Sequence, residues 1–322
     1  MALPSSTKSD LLLVCVTLLA AVSWMFSKEA VLLMPPLLFM CLRFLLAGLI
    51  LALVGHRQLR RMNRDKYWRS VQVGMVFGTA MSFWIMGLHY GNHVGEGAFI
   101  TSLGVVLVPV MARLVFKEQP PLSTWLALPV AVCGLALLSL DGGFQAELGQ
   151  LFFLASAMIF ALFFTLNTRA ANNATITGSG GRITTRERVP ALALTSVVLV
   201  TVGLVTGTAS LLLEPWRPTF QSGELGLVIA AWVIASATLG TAARFFLQTY
   251  AQSLSMHSHG VVIMILEPMW TALLAALWFG ETMSATQLGG CAMIFLALLV
   301  NRWGAIRRVL KRWIDQRRAA RA

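Results

Sequence analysis

Apolar runs long enough to cross a lipid bilayer recur from one end of this 322-residue chain to the other. A helix of about 20 residues, rising about 1.5 Å per residue, spans the roughly 30 Å hydrocarbon core of a bilayer. The composition agrees, because 57% of the residues are hydrophobic and only 12% are charged, well below the fraction typical of soluble domains. The pattern predicts an all-α integral membrane protein.

Ten transmembrane helices are predicted, with approximate limits 10–30, 36–56, 68–90, 94–116, 122–140, 148–170, 189–212, 225–250, 258–279 and 283–302. The first run has no clear small-residue cleavage site after it, so we expect a retained helix rather than a signal peptide. The stretch 171–188 is rich in Gly, Ser and Asn and predicts a cytoplasmic linker. We interpret 1–170 and 189–303 as two five-helix halves and 304–322 as a basic cytoplasmic tail.

The distribution of Lys and Arg predicts the orientation. Cytoplasmic loops of membrane proteins carry an excess of these residues. An N-terminus in the cytoplasm places most of the cations on the inner side, including the cluster from Arg57 to Arg69, the linker arginines and the tail. We therefore expect a multi-pass protein of the cytoplasmic membrane with both termini on its cytoplasmic side. The tail from Arg302 to Arg321 predicts contact with anionic lipid head groups. The net charge is +12, but the sequence has no recognisable nucleic-acid-binding motif, which disfavours nucleic acid as a partner.

A short internal repeat suggests that the two halves are inverted. Ala112 to Glu118 reads ARLVFKE and closes the fourth run, and Ala275 to Glu281 reads AALWFGE and closes the ninth. An odd number of spans in each half places Glu118 inside and Glu281 outside. Inverted repeats with a binding site at their interface are a common design in transporters.

Several stretches, in order and spacing, resemble the drug/metabolite transporter superfamily in its ten-helix EamA-type branch. They cover roughly residues 10–303 and read WMFSK (24–28), RFLLA (43–47), AFITSLGVVLVPV (98–110), FLQTYAQ (246–252), ILEPMW (265–270), FGE (279–281) and QLGG (287–290). Arg244 departs from the pattern, because an uncharged or aromatic residue is expected there.

The resemblance implies a secondary transporter of small metabolites that works by alternating access. We expect export of a small amphipathic solute, such as an amino acid, with possible coupling to protons. The alternatives are a multidrug/proton antiporter and a flippase of an amphipathic lipid precursor. A membrane enzyme and a sensor subunit are disfavoured, since the sequence has no GxSxG, HExxH or P-loop motif and no soluble signalling domain.

Charged residues deep in apolar runs are the first candidates for the transport site. A charge near the middle of a bilayer costs at least about 2.5 kcal/mol and normally faces protein or a watery cavity. Glu267, beside the helix breaker Pro268, is interpreted as a coupling carboxylate or as one side of a buried ion pair with Arg43 or Arg244. Arg244 lies one turn from Gln248 and could clamp a carboxylate, or it could extend its head group to the inner interface.

Aromatic residues predict the walls of a cavity, because ligand pockets are mostly apolar with a few polar groups. The predicted substrate-binding residues are Trp24, Trp84, Phe99, Arg244, Gln248, Tyr250 and Trp270, with Arg43 and Glu267 as coupling residues or as a structural ion pair.

No cofactor or metal site is predicted. The spacing of His89, His93 and Glu96 could suit zinc, but Gly91 interrupts a regular helix there and interfacial polar residues are the favoured interpretation. The four cysteines lie in apolar runs without a CxxC pair, so neither a disulfide nor a metal site is inferred.

Overall fold

The structure is a computed structural model that describes residues 5–117, 119, 122–139, 147–177, 183–215, 223–254, 266–301, 303–304 and 307. Within these ranges the chain is almost entirely helical. The helices are α1 (Ser5–Leu33), α2 (Pro36–Val54), α3 (His56–Arg60), α4 (Arg64–Tyr90), α5 (Val94–Phe116), α6 (Leu122–Ser139), α7 (Leu148–Ala171), α8 (Ala191–Leu213), α9 (Gly223–Ala235), a π-helical segment (Ser236–Ala243), α10 (Arg244–Leu254), α11 (Leu266–Phe279) and α12 (Ala285–Asn301).

Local sequence explains several of the helix ends. Pro36 begins α2, a position where its missing N–H costs nothing. The side chain of Asn63 caps α4 by accepting a hydrogen bond from the backbone N–H of Lys66 (2.9 Å). Lys117 ends α5 in the left-handed conformation, with φ of 57°, and its N–H bonds the carbonyls of the last turn.

The predicted class, a helical membrane protein with several spans, is confirmed. Seven helical stretches in the described part of the chain are long and apolar enough to cross a membrane, namely α1, α2, α4, α5, α7, α8 and the continuous rod formed by α9, the π-helical segment and α10. Three further apolar helices are shorter, within α6, α11 and α12. Large apolar side chains point outward along these helices, such as Leu212 (84% exposed) and Leu53 (76%), as lipid-facing residues do.

The predicted linker, 171–188, contains a small antiparallel hairpin that the sequence did not predict. Its strands are β1 (Ala174–Thr177) and β2 (Ile183–Arg186), with Ala174 opposite Arg186. Glu187 follows β2 and accepts a hydrogen bond from Lys66 on α4 (2.8 Å). This hydrogen bond and the charge of Lys66 hold the pKa of Glu187 below its ordinary value.

The position of the linker does not divide the helices equally. Six of the helices longer than three turns, α1, α2 and α4 to α7, precede it in the described chain, so residues 1–170 hold one helix more than the predicted five.

Glycines allow α4 and α8 to pack closely. A Cβ added at Gly74 would lie 2.6 Å from the Cβ of Thr201, and one added at Gly78 would lie 2.8 Å from the Cβ of Val205. Both distances are shorter than any normal contact. The GxxxG spacing of these residues in the sequence therefore reflects a close helix crossing, as expected in membranes.

We expect Gly78→Ala to lower the melting temperature of the purified protein, because the new methyl group overlaps Val205 and overpacking typically costs about 1–3 kcal/mol. Gly226→Ala is the matched control, since a Cβ there meets nothing within 4 Å and alanine favours a helix by about 1 kcal/mol over glycine. Thermal unfolding in detergent, followed by tryptophan fluorescence, checks both. Equal melting temperatures for the two variants would contradict the close crossing.

Candidate functional site

Arg43 is the largest fully buried side chain among the described residues, with 1% of its surface exposed. Its Nη1 donates to Ser27 Oγ (2.6 Å) and its Nε donates to Thr241 Oγ1. Its Nη2 donates to Ser23 Oγ and to the carbonyl of Gly240 (3.3 Å). These bonds join α1, α2 and the π-helical segment. The guanidinium is therefore held by neutral oxygens rather than by a carboxylate.

Arg244 and Glu267 form an ion pair between α10 and α11. The Nη2 of Arg244 donates to both carboxylate oxygens of Glu267, at 3.2 Å each. The Nε1 of Trp24 on α1 donates to Glu267 Oε1 (3.3 Å). The two charged side chains remain 14% and 19% exposed, so the pair is not sealed in the core. Of the two partners predicted for Glu267, Arg43 and Arg244, the structure pairs it with Arg244. The head group of Arg244 thus contacts a carboxylate rather than extending unpaired to the inner interface.

An aromatic cluster supports this pair from one side. The rings of Trp24 and Trp84 meet edge to face, with centroids 4.6 Å apart, and Phe153 lies 5.7 Å from Trp24. All three side chains are at most 5% exposed. Gly97 leaves room for Phe153, because an added Cβ would lie 2.4 Å from that ring. The indole of Trp24 is thus fixed by packing, which directs its N–H at Glu267.

Three buried polar atoms near the ion pair have no hydrogen-bond partner among the described residues: Arg244 Nε, Gln248 Oε1 and Trp270 Nε1. Gln248 lies one turn beyond Arg244 on α10 and is 3% exposed, and Trp270 lies one turn beyond Glu267 on α11. A buried polar atom without a partner costs about 1–3 kcal/mol. Two donors and one acceptor on these two helices are therefore left without a partner in the described chain.

The remaining predicted site residues lie on the same or neighbouring helices. Tyr250 stacks on Phe246 of α10, with centroids 6.1 Å apart. Phe99 is 6% exposed on α5. The structure therefore brings Trp24, Arg244 and Glu267 into direct contact, and adds Trp84 through the aromatic cluster.

Glu96 is a further buried acid that was not among the predicted site residues. It lies in the first turn of α5, is 5% exposed and accepts a hydrogen bond from Gln150 Nε2. Glu96 lies at the predicted end of a span, where an acid is ordinarily exposed. Its burial depends on packing against α7, which the hydropathy pattern does not report.

Two glutamates cap helices at one end of the bundle, which we call the capped end. The carboxylate of Glu281, just beyond α11, accepts hydrogen bonds from the backbone N–H groups of Val94 (2.8 Å) and Gly95 (3.2 Å) at the start of α5. The carboxylate of Glu214, just beyond α8, caps α2 in the same way through Leu37 (2.7 Å) and Leu38 (2.9 Å). Negative charge at a helix N-terminus is favourable.

Lys28 completes the capped end from α1. Its ammonium group donates to the carbonyls of Leu88 (3.0 Å) and Gly91 (2.8 Å) at the end of α4. Its neighbour Glu29 accepts a hydrogen bond from the indole of Trp278 on α11 (3.0 Å). Lys28 thereby caps the C-terminus of α4.

The sequence profile of the EamA-like transporter family matches this chain twice, over residues 7–140 and 147–303. An uncharacterized transporter of Archaeoglobus fulgidus is 26% identical over 229 residues, which are 67% of this chain and 75% of the relative. The uncharacterized transporter YvbV of Bacillus subtilis is 26% identical over 302 residues, which are 92% of each chain. A chain of known crystal structure aligns with a TM-score of 0.63 and 18% identity over 94% of this chain and 98% of that chain, and shares the fold.

We expect Glu281→Ala to lower the melting temperature, because it leaves two backbone N–H groups of α5 without a cap, and losing a cap typically costs about 1 kcal/mol. Glu147→Ala is the matched control: Glu147 precedes α7 but makes no side-chain cap bond, and it is exposed. Glu281→Gln, which keeps one carbonyl acceptor, should fall between them. A melting temperature for Glu281→Ala no lower than that of the control would contradict the capping role.

Proposed function

We propose that this chain, which belongs to the EamA-like transporter family, is a secondary transporter that exports a small amphipathic solute bearing a carboxylate, such as an amino acid. The observation that carries the proposal is the partly exposed Arg244–Glu267 pair, enclosed by helices from both matched segments. Trp24 belongs to the first segment, and the ion pair belongs to the second. A site shared by the two repeats is where alternating access takes place in transporters with internal repeats.

The proposed architecture has ten spans in two inverted halves, with both termini in the cytoplasm. We place the border of the halves at 141–146, between the two matched segments, rather than at the linker 171–188. This border leaves five long helical stretches on each side, counting the rod of α9, the π-helical segment and α10 as one. The halves thereby keep the odd number of spans that an inverted repeat requires.

Helix packing supports this division. Three helices pack against their own counterparts in the other half: α2 on α8, α5 on α11 and α6 on α12. Other contacts occur in matching pairs, if α7 is taken as the counterpart of α1 and the rod as the counterpart of α4. The contact of α4 with α7 then matches that of α10 with α1, and the contact of α5 with α7 matches that of α11 with α1. Such pairing is the arrangement that a pseudo-two-fold axis between equivalent halves produces.

The charges at the centre favour a solute with a negative group. Arg43 and Arg244 contribute two positive charges and Glu267 one negative charge. The excess positive charge supports a carboxylate-bearing solute over the cationic substrate of a multidrug antiporter.

Glu267 is the proposed coupling group. Protonation of its carboxylate would remove the charge that holds Arg244, and would free this guanidinium for a solute carboxylate. An amine on the same solute would then be accommodated by Gln248 Oε1, which has no partner in the described chain. Protonation of Glu267 and binding of the solute carboxylate to Arg244 would thus favour each other at one pair of side chains.

We expect carboxylate-bearing solutes, amino acids first among them, to raise the melting temperature of the purified protein, since a ligand that binds only the folded state stabilises it. Cationic drugs serve as the comparison class. The shift should disappear in Arg244→Ala and persist in Arg113→Ala, an arginine of α5 that packs over Trp125. Stabilisation by cationic drugs alone would overturn the proposed substrate class.

We expect Glu267→Gln to abolish uptake driven by a pH gradient in proteoliposomes while leaving solute exchange measurable. The amide keeps the shape of the side chain but cannot change its charge. The melting temperature of the variant is measured in parallel. Loss of both activities together with a large fall in melting temperature would assign Glu267 a structural role instead.

A further inference from the structure

The rod formed by α9, the π-helical segment and α10 changes the face that it buries. Before and within the segment, the buried positions recur at helical spacing, and after it they are displaced by one residue. The buried residues are Val233, Ser236, Ala237, Gly240, Thr241 and Ala242, then Phe245, Gln248, Thr249 and Ala251. An uninterrupted α-helix, with 3.6 residues per turn, would continue the buried stripe through Arg244 and Gln248 and would turn Phe245 and Thr249 away from it.

This displacement decides where Arg244 points. One extra residue in a turn rotates everything that follows by about 100°. The rotation places Phe245 in the core, where its ring lies 5.1 Å from Phe77 and 6.2 Å from Phe44. Arg244 is carried off the buried stripe and meets Glu267 on α11.

Arg43 bonds the π-helical segment at two neighbouring residues, Gly240 and Thr241, where the hydrogen bonds differ from those of an α-helix. The N–H of Arg244 bonds the carbonyl of Thr241 rather than that of Gly240, which an α-helix would use. The Gly240 carbonyl accepts from Arg43 Nη2 instead (3.3 Å). The hydroxyl of Thr241 donates to the carbonyl of Ser236, five residues earlier (2.9 Å), and accepts from Arg43 Nε.

The fit of the turn against α1 also depends on Arg43. Gly240 packs so closely that an added Cβ would lie 2.8 Å from Ser23 Oγ and 3.5 Å from Arg43 Nη2. Ser23 and Ser27 accept from the same guanidinium, and the hydroxyl of Ser27 in turn donates to the carbonyl of Ser23 (2.6 Å). A planar group with several fixed donors suits this arrangement, which a lysine ammonium would not reproduce.

We propose that Arg43 is a positioning residue that holds the π-helical turn at Gly240–Thr241, and that this turn directs Arg244 toward Glu267. Arg43 thereby sets the geometry of the solute site without belonging to it. The inference rests on the proposed function only where it refers to transport. The link between Arg43, the turn and the direction of Arg244 concerns the fold and is measured separately.

The test uses cysteine reporters in a background without the native Cys15, Cys41, Cys133 and Cys291. Leu247→Cys and Thr249→Cys lie on either side of the displaced stripe. In detergent, with a small maleimide, Thr241→Val should raise the ratio of the labelling rate at 249 to that at 247 roughly tenfold, because the turn relaxes to α-helix and rotates α10. Valine keeps the shape of threonine and removes both hydroxyl bonds.

Two matched variants keep the result specific. Thr241→Ser restores the hydroxyl and should restore the original labelling ratio. Thr238→Val lies in the same segment, but its hydroxyl bonds only the carbonyls of Ile234 (2.8 Å) and Ala235 (3.4 Å) in its own helix, and should leave the ratio unchanged. Arg43→Lys should shift the ratio in the same direction as Thr241→Val, and the double variant should shift it less than the sum of the two.

An unchanged labelling ratio in both Thr241→Val and Arg43→Lys would overturn the positioning role, whatever the transport activity. A shifted ratio with the apparent KM for the solute raised, and restored by Thr241→Ser, supports both the positioning role and the solute site. A shifted ratio with unaltered transport supports the control of the turn by Arg43 and overturns the Arg244–Glu267 pair as the solute site, so the two failures are distinguishable.

Discussion

A single guanidinium buried among neutral oxygens organises the centre of this protein. Arg43 joins α1, α2 and the π-helical segment through two serine hydroxyls, one threonine hydroxyl and one carbonyl. Burying a charge is costly in protein or lipid, and it persists only where hydrogen bonds replace the lost water. The three segments are therefore held in one relative position, because moving any of them would leave donors of this charge unsatisfied.

The site beside it depends on that fixed position. Arg244 begins the helix that follows the π-helical segment, and its partner Glu267 lies in the first turn of α11. Trp24, one residue beyond Ser23 on α1, donates to the same carboxylate. On α1 and in the rod, residues that bond Arg43, such as Ser23 and Thr241, therefore lie within one turn of Trp24 and Arg244, which contact Glu267.

The capped end shows a different kind of connection between the two repeats. Glu281 bonds the start of α5, and Glu214 bonds the start of α2, each through two backbone N–H groups. Each glutamate lies in one matched segment and each capped helix in the other. These contacts join helix ends rather than helix faces. They bond the two matched segments to each other at that end, whereas the Arg244–Glu267 pair lies within the second segment and keeps some exposure.

Sequence alone determined the class of protein, the family resemblance and the charged residues that required an explanation. Hydropathy and charge are local properties, so long apolar runs and the exceptions within them, Arg43, Arg244 and Glu267, are visible in the printed chain. Ser23, Ser27 and Thr241 were not identified, because hydroxyls are ordinary in membrane helices and usually bond their own backbone. Only the tertiary structure decided which acid meets which cation. That choice depends on the rotation of each helix, and one extra residue in a turn rotates the rest of a helix by about 100°.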